Sequence, residues 1–307
     1  MNSPANHVSE EKKERLRHLR RHLAENIRGQ EQVLDRVAAV LVRGELGLAA
    51  PHRPKGSFLF VGPTGVGKTE LTNVFTSYLF DGKKPIRFDM SEYQNQSSVE
   101  KLLGQHEGEI GLLGKALKNA AGTTLLFDEI EKAHPLVLDL FLQMLEDARI
   151  TLATGETQDL RGFYLVFTSN IGAAEAMRMQ SAPFASVERT VLARVGQQLR
   201  PELVGRISEK LVFTRLKFET QRAICEQMTA RELARMKALG YRLEAPEDVV
   251  EYAIRAGYHR TLGARPMRTA VEHLVQNAIA GDILRGGNGS GRLEVRSAAD
   301  GVAISGP

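Results

Sequence analysis

The sequence has no tryptophan, a single cysteine and no long apolar run. The lone Cys225 cannot form an internal disulfide, so we expect a reducing, cytoplasmic setting, with Cys225 as a small, partly buried helix residue. A membrane-spanning helix needs roughly 18–20 consecutive apolar residues, and the sequence contains none. The polar residues 1–10 also lack the apolar segment of a secretory signal. These absences argue against disulfide-stapled and membrane-embedded classes of protein.

Charge is nearly balanced. The net charge of +4 comes from 41 basic and 37 acidic residues, too small an excess to indicate nucleic-acid binding by itself. Basic residues cluster between Lys12 and His22, where leucines recur at helical spacing and glutamates are interleaved. This pattern favours an amphipathic helix that docks on the main domain, with a nucleic-acid patch as the alternative.

Short apolar runs separated by helical patterns indicate an α/β domain. Continuous rather than alternating apolar residues are typical of parallel strands that are covered on both faces. The predicted strands span residues 57–61, 85–89, 124–128, 163–169 and 211–213. A β-hairpin is predicted between residues 149 and 160, before the fourth of these strands.

From about residue 217 onward the signals are mainly helical. Helices are predicted over residues 220–239, 247–256 and 265–285, followed by a glycine-rich break and a short hairpin with strands at 292–296 and 302–305. We therefore place a domain boundary near Thr214.

The most specific pattern is a glycine-rich segment between the first predicted strand and a helix. It consists of Gly62, Pro63, Thr64, Gly65, Val66, Gly67, Lys68 and Thr69. Such glycines let the backbone aim its N–H groups at phosphate oxygens, while Lys68 reaches the β- and γ-phosphates. The pattern predicts an ATP-binding phosphate loop with Thr69 as a Mg²⁺ ligand. A glycine-rich turn without nucleotide is the alternative.

Two adjacent carboxylates, Asp128 and Glu129, end the third predicted strand. Buried charges are costly, so stability explains them poorly. We expect Asp128 to hold Mg²⁺ through its water shell and Glu129 to act as the general base on the attacking water. The alternative is a pair of solvated acids at a strand end.

Three further polar residues are candidates. Asn170 follows the fourth predicted strand, where it could reach the γ-phosphate or the water, or could cap a helix. Phosphoryl transfer also needs positive charge on the developing γ-phosphate. Arg206 and Arg265 could supply it, but from the pattern alone both could be surface arginines.

Several stretches together resemble the Clp-type AAA+ unfoldases, specifically the second ATPase ring of their two-ring members. The matching stretches are 58–70, 87–93, 126–135, 168–172 and 263–266. They occur in the family's order, and the similarity runs from about residue 16 to about residue 295.

The resemblance implies a P-loop domain with a parallel central sheet at 26–214, between an amphipathic helix at 1–25 and a small, mostly helical lid domain at 215–307. ATP would lie between the two domains with Ile27 beside the adenine. The family forms rings, usually hexamers, with sites at subunit interfaces. Arg206 would act as the arginine finger on a neighbour's ATP, and Arg265 within its own subunit. Asn170 would sense the γ-phosphate.

The sequence also departs from the family. Only about 25 residues precede the adenine-flanking segment, so we expect a single-ring form without an amino-terminal substrate domain. The family's pore loop reads Gly-aromatic-aliphatic-Gly, but here Glu109 takes the aromatic position and Glu107 precedes it. We expect an acidic pore that repels acidic chains and nucleic-acid backbones. Alternatively, Glu109 points to solvent and Ile110 grips the client.

The resulting hypothesis is a ring-forming, ATP-hydrolysing protein remodeller that uses ATP and Mg²⁺. Residues 173–198 lack the tripeptide loop with which family members dock on a peptidase, so we expect no peptidase partner. The alternative is a nucleotide-gated assembly or regulatory ATPase that binds a dedicated partner without threading it. A third hypothesis, a DNA-linked ATPase, depends only on the basic first helix and the pI near 9.2.

Overall fold

The computed structural model describes residues 8–105, 108–118, 120, 122–179, 181–259, 262–296 and 301–305. The chain divides into two compact units: residues 1–63 with 67–214, and residues 64–66 with 215–307. Residues 1–7 of the predicted first helix and Glu107 of the predicted pore loop lie outside the described residues.

A parallel sheet lies at the centre of the first unit. The strands of this unit are β1 (Gly56–Val61), β2 (Ile86–Asp89), β3 (Thr124–Asp128), β4 (Arg149–Thr151), β5 (Thr157–Asp159), β6 (Tyr164–Ser169) and β7 (Glu209–Val212). The central sheet has the order β2–β3–β6–β1–β7, and all its pairs are parallel. Every residue of β1, β3 and β6 is buried, as expected for apolar strands covered on both faces. The predicted α/β class is confirmed, and β4 and β5 form the predicted hairpin.

Helices surround this sheet. They are α1 (Glu10–Asn26), α2 (Glu31–Glu45), α3 (Lys68–Leu79), α4 (Ser98–Leu103), α5 (Leu112–Leu117), α6 (Pro135–Asp147), α7 (Ala173–Arg178), α8 (Phe184–Gln198) and α9 (Pro201–Arg206), with 3₁₀ turns at Met90–Glu92 and Ile130–Lys132. Helix α6 begins with proline at its first turn, where no hydrogen-bonding N–H is needed. Among the described residues, no helix is both long and apolar enough to cross a bilayer.

Helix α1 docks on the first unit through its leucine face. Leu19 and Leu23 are fully buried, and Lys12 forms a 2.7 Å ion pair with Glu45 of α2. Arg20 pairs with Asp35 of α2 at 2.6 Å. Because these basic side chains are paired within the unit, the contacts favour the docking interpretation over a nucleic-acid patch.

The second unit combines helices with a small sheet. Its elements are α10 (Phe218–Ala238), β8 (Leu243–Glu244), α11 (Glu247–Gly257), α12 (Arg265–Leu284), β9 (Gly291–Val295) and β10 (Val302–Ser305). Strands β9 and β10 form the predicted antiparallel hairpin, and β8 adds a parallel third strand that the sequence did not predict. Cys225 is fully buried in α10 rather than partly buried, and this burial raises the pKa of its thiol to about 11.

Candidate active site

The candidate site lies at the carboxyl ends of three neighbouring strands. In the sheet, β6 separates β3 from β1. The glycine-rich loop follows β1, Asp128 ends β3 with Glu129 directly after it, and Asn170 follows β6. Because parallel strands end at the same edge of a sheet, the fold gathers these segments where ligands bind in open α/β sheets.

The glycine-rich loop needs its glycines for steric reasons. Gly62 has φ +140°, and a Cβ at this position would lie 2.3 Å from the carbonyl oxygen of Phe213. Gly67 caps α3 with φ +108°, a left-handed conformation that side chains rarely adopt. The N-terminal end of α3 carries the positive end of the helix dipole, which favours an anion there. Thr64, Gly65 and Val66 are grouped with the second unit.

Lys68 is a buried lysine at the start of α3. Its side chain is held by the backbone carbonyl oxygens of Gly62 and Pro63, and it donates to Oδ1 of Asn170 at 3.0 Å. A buried ammonium group requires such partners because its desolvation is costly. These contacts hold the ammonium group of Lys68 beside the loop that the sequence predicts to bind phosphate.

Asn170 joins the loop to the acidic end of β3. Its amide nitrogen donates to Oε1 of Glu129 at 3.2 Å, while its oxygen accepts from Lys68. Its backbone N–H donates to Oε1 of Glu131 at 3.0 Å. The following helix, α7, has Gly172 as its N-cap, so the helix-cap interpretation of Asn170 is wrong.

Glu129 has a rare backbone conformation for a residue with a side chain. Its φ is +57°, and its N–H donates to Oγ1 of Thr168 at 3.2 Å. Its second carboxylate oxygen pairs with Lys132 at 2.5 Å, and the resulting hydrogen bond raises the pKa of Lys132. A positive φ of this kind is retained where the surrounding contacts enforce it, commonly at functional sites.

Asp128 is a buried carboxylate with two partners. Thr168 donates to Oδ1, and Nη2 of Arg87 lies 2.7 Å from Oδ2. Only 7% of Asp128 is exposed, which excludes the alternative of a solvated acid at this position. Carboxylate and hydroxyl oxygens suit Mg²⁺, so Asp128 and the half-buried Thr69 have the right donor chemistry. The described residues contain no group of three His, Cys, Asp or Glu side chains that could hold a metal alone. Phosphate or water oxygens would therefore complete the coordination.

The two candidate arginines belong to different units. Arg206 ends α9 of the first unit, where its guanidinium pairs with Glu146 of α6 and donates to the carbonyl oxygen of Glu202 at 3.1 Å. Arg265 is an exposed residue that begins α12 of the second unit. The structure therefore gives Arg206 an acidic partner within its own subunit.

The segment after α1, near the start of the first unit, is hydrogen-bonded to the last residue of that unit. Ile27 is buried and directly follows α1. The side chain of Gln30 donates to the carbonyl oxygen of Thr214 at 2.8 Å and accepts from the N–H of Thr214 at 3.1 Å. These two bonds hold the predicted adenine-flanking segment, to which Gln30 belongs, against Thr214 just after β7.

In the described part of the predicted pore loop, Glu109 is exposed and Ile110 is half-buried. A Cβ built on Gly114 of α5 would lie 2.7 Å from the Ile110 side chain, so Ile110 packs closely against this helix. Glu109 is therefore the more accessible of the two side chains.

Sequence reasoning missed several partners of the candidate residues. Arg87, Lys132 and Thr168 contact the two strand-end carboxylates, and Glu146 pairs with Arg206. Lys132 could have been inferred, since residues three apart in a helical turn are neighbours. Arg87 and Thr168 are polar residues in apolar strands, which is a weaker signal because it does not identify the partner.

Comparison with known proteins agrees with this architecture. Residues 53–210 match the family described as AAA domain (Cdc48 subfamily), and residues 216–293 match the C-terminal, D2-small domain of ClpB protein. A solved structure, a closed-state cryo-EM reconstruction of Hsp104 with ATPγS and FITC casein, is 31% identical with a TM-score of 0.85. The match covers 98% of this chain and 53% of that one.

Curated relatives include both chaperones and protease subunits. Heat shock protein 100 of Trypanosoma brucei brucei is 37% identical over 88% of this chain and 32% of its own length. The ATP-dependent Clp protease ATP-binding subunit ClpA homolog of Pyropia yezoensis is 36% identical (92% and 37%), and Chaperone protein ClpB 2 of Nostoc sp. is 35% identical (92% and 33%). The chain spans about a third of the length of these relatives. The predicted Clp-type resemblance is confirmed, and the chain belongs to the AAA domain family (Cdc48 subfamily), with a ClpB-type small domain after it.

Proposed function

We propose that this chain binds ATP at Gly62–Thr69 and hydrolyses it, and that it uses the energy to remodel proteins. The observation that carries the proposal is the contact of Asn170 with both Lys68 and Glu129. One amide thereby connects the phosphate-binding cation to the carboxylate that would activate water. The match to the AAA domain family and the Hsp104 reconstruction with ATPγS support it.

Each residue has a distinct role in this proposal. Lys68 binds the β- and γ-phosphates, and Glu129 orients the attacking water and takes its proton. Asn170 positions Glu129 against the γ-phosphate. Asp128 and Thr69 are the residues that would hold Mg²⁺. When bound, the ion would neutralise charge on the phosphate oxygens.

The remaining assignments concern the ring. We assign Arg206 as a finger that acts on the ATP of a neighbouring subunit in a ring, usually a hexamer in this family. For that role the guanidinium must leave Glu146, its partner in the same subunit. Arg265 and Ile27 are assigned to the subunit's own nucleotide, with residues 215–307 acting as a lid.

A Glu129→Gln variant tests the catalytic assignment. It keeps the length of the side chain but cannot accept the proton, so ATP binding should persist while hydrolysis falls by about 100-fold or more. Phosphate release and ATPγS binding should be measured side by side, over a range of protein concentration. Wild-type turnover in Glu129→Gln would refute the assignment, and absence of ATPγS binding by the wild type would refute the proposed function.

We further propose that the ring works without a peptidase. Residues 173–198 contain α7 and α8, joined by a short segment at 179–183. The described part of that segment offers little length for a docking loop. The relatives include protease-associated ClpA homologs, so a direct test is needed. Mixing the protein with a Clp-type peptidase and a fluorescent unfolded substrate should not increase substrate degradation.

The second candidate function is a nucleotide-gated factor that binds a partner without threading it. The exposed Glu109 at the aromatic position favours this alternative, because a carboxylate grips neutral polypeptide poorly. Unfolding of a tagged model substrate by the wild type would exclude it. Unfolding that occurs only in Glu109→Tyr, with unchanged ATP hydrolysis, would support it.

A further inference from the structure

Arg87 and Asp128 form an ion pair at the edge of the sheet where metal would bind. Nη2 of Arg87 lies 2.7 Å from Oδ2 of Asp128. The Asp128 side chain is 9% exposed, but that of Arg87 is 50% exposed. The carboxylate is therefore fixed in the protein, while its cationic partner reaches it from the solvent side.

The register of the sheet explains why a cation is needed here. Strands β2 and β3 pair so that Asp89 lies beside Asp128. The carboxylate of Asp89 is also 4.0 Å from Arg87, and its Oδ1 accepts two hydrogen bonds from Ser91, at 3.0 and 2.6 Å. Two neighbouring carboxylates repel each other, and one of them is buried. Arg87 compensates this negative charge within the chain.

We propose that Arg87 is an internal counter-cation that competes with the divalent metal ion for Asp128. This inference depends on the proposed function, since it takes Asp128 as a metal-binding carboxylate. The Arg87 guanidinium occupies Oδ2 of Asp128 and the Thr168 hydroxyl occupies Oδ1, so a hydrated divalent ion must compete with one of these partners for the carboxylate. Arg87 stabilises the metal-free protein, and its displacement is a cost that the metal ion must overcome.

In this proposal Arg87 raises the stability of the metal-free protein but lowers its affinity for the metal ion. Replacing Arg87 should therefore change these two quantities in opposite directions. Arg87→Gln removes the cation and should lower the thermal midpoint of the nucleotide-free protein in EDTA by about 2–4 °C. It should also reduce the free Mg²⁺ concentration that half-maximally enhances ATPγS binding, by about two- to tenfold. ATPγS affinity in EDTA should change by less than about twofold.

Arg161→Gln is the matched control. It removes the same charge from an exposed pair with Asp159 at the end of the β4–β5 hairpin and should leave the Mg²⁺ midpoint unchanged. If Arg87→Gln does not fold, Arg87→Lys should shift the Mg²⁺ midpoint in the same direction by less, because it keeps the charge but loses the planar fork.

Three results would overturn the proposal. They are an unchanged Mg²⁺ midpoint, a midpoint shifted upward, and a loss of ATPγS binding in EDTA, which would mean that Arg87 binds phosphate. These results differ from failure of the proposed function, in which the wild type itself would bind no ATPγS at any Mg²⁺ concentration.

Discussion

The side-chain ammonium of Lys68 donates a hydrogen bond to Oδ1 of Asn170 across 3.0 Å, although 102 residues separate the two. The same amide contacts Glu129. We expect Asn170→Ala to reduce ATP hydrolysis by about 10- to 100-fold, because Glu129 loses its positioning partner. ATPγS binding should change much less, since Lys68 keeps its loop contacts.

Single-turnover phosphate release and equilibrium binding separate these two effects. Asn288→Ala, at an exposed turn of the second unit, serves as the control and should hydrolyse ATP normally. If Asn170→Ala hydrolyses ATP at the wild-type rate, Asn170 has no role in positioning Glu129.

Mixing two inactive variants tests whether the site is shared between subunits. Arg206→Ala keeps Glu129, and Glu129→Gln keeps Arg206. If Arg206 acts on the neighbour, some interfaces of a mixed ring combine intact residues from both variants, and ATP hydrolysis should recover. We expect the mixture to exceed the sum of the separate activities by severalfold.

The control is each variant mixed with additional copies of itself at the same total concentration, which should give no recovery. A mixture no more active than its components, under conditions in which size-exclusion chromatography shows joint assembly, would mean that Arg206 acts only within its own subunit.

Glu45 should make the stability of the protein depend on pH. It lies between Lys12 and Lys55, each at 2.7 Å. Burial raises its pKa, but the two lysines outweigh burial and leave the pKa below its ordinary value of 4.5. A lowered pKa means that the stabilisation is present above about pH 4.5 and is lost as the pH falls through the lower, folded-state pKa.

We therefore expect Glu45→Gln to lower the free energy of unfolding at pH 7 by about 1–3 kcal/mol, with a smaller difference from wild type in acid. Urea unfolding of the wild type and the variant, at pH 7 and in acid, measures this difference in the free energy of unfolding. Asp147→Asn, which breaks an exposed pair with Arg149, should cost less than about 1 kcal/mol at pH 7. An equal loss for Glu45→Gln at both pH values would contradict the charge argument.

Two glycine substitutions should have opposite effects on stability. Gly62→Ala places a methyl group 2.3 Å from the Phe213 carbonyl oxygen and should lower the free energy of unfolding by about 1–3 kcal/mol. Gly196 lies within α8, and a Cβ there meets no atom within 4 Å. Gly196→Ala should raise the free energy of unfolding by about 0.5–1 kcal/mol. Thermal denaturation compares both, and a stabilised Gly62→Ala would refute the steric argument.

The sequence predicted the strands of the central sheet well, because a short continuous apolar run is compatible with few structures other than a buried strand. The prediction for β3 agrees residue for residue, and those for β1, β2 and β6 differ by one residue at the start. The last strand was placed too late, because β7 begins with the polar residues Glu209 and Lys210. The two-residue β8 depends on pairing with β9, which a local pattern cannot reveal.

The candidate site was predictable in its residues but not in its contacts. Lys68, Asp128 and Asn170 follow from motif and strand position. The pairing of Arg87 with Asp128 depends on the register between β2 and β3, which is set by the whole sheet. Likewise, the backbone N–H of Glu129, a residue with positive φ, donates to Thr168, 39 residues away. Such contacts between distant segments have no local sequence signature.

The two hydrogen bonds between Gln30 and Thr214 have a consequence for protein engineering. They bring positions 184 residues apart side by side, so residues 30–214 begin and end next to each other in the first unit. A segment with adjoining ends can be grafted into a loop of a host protein, or circularly permuted, without stretching its core.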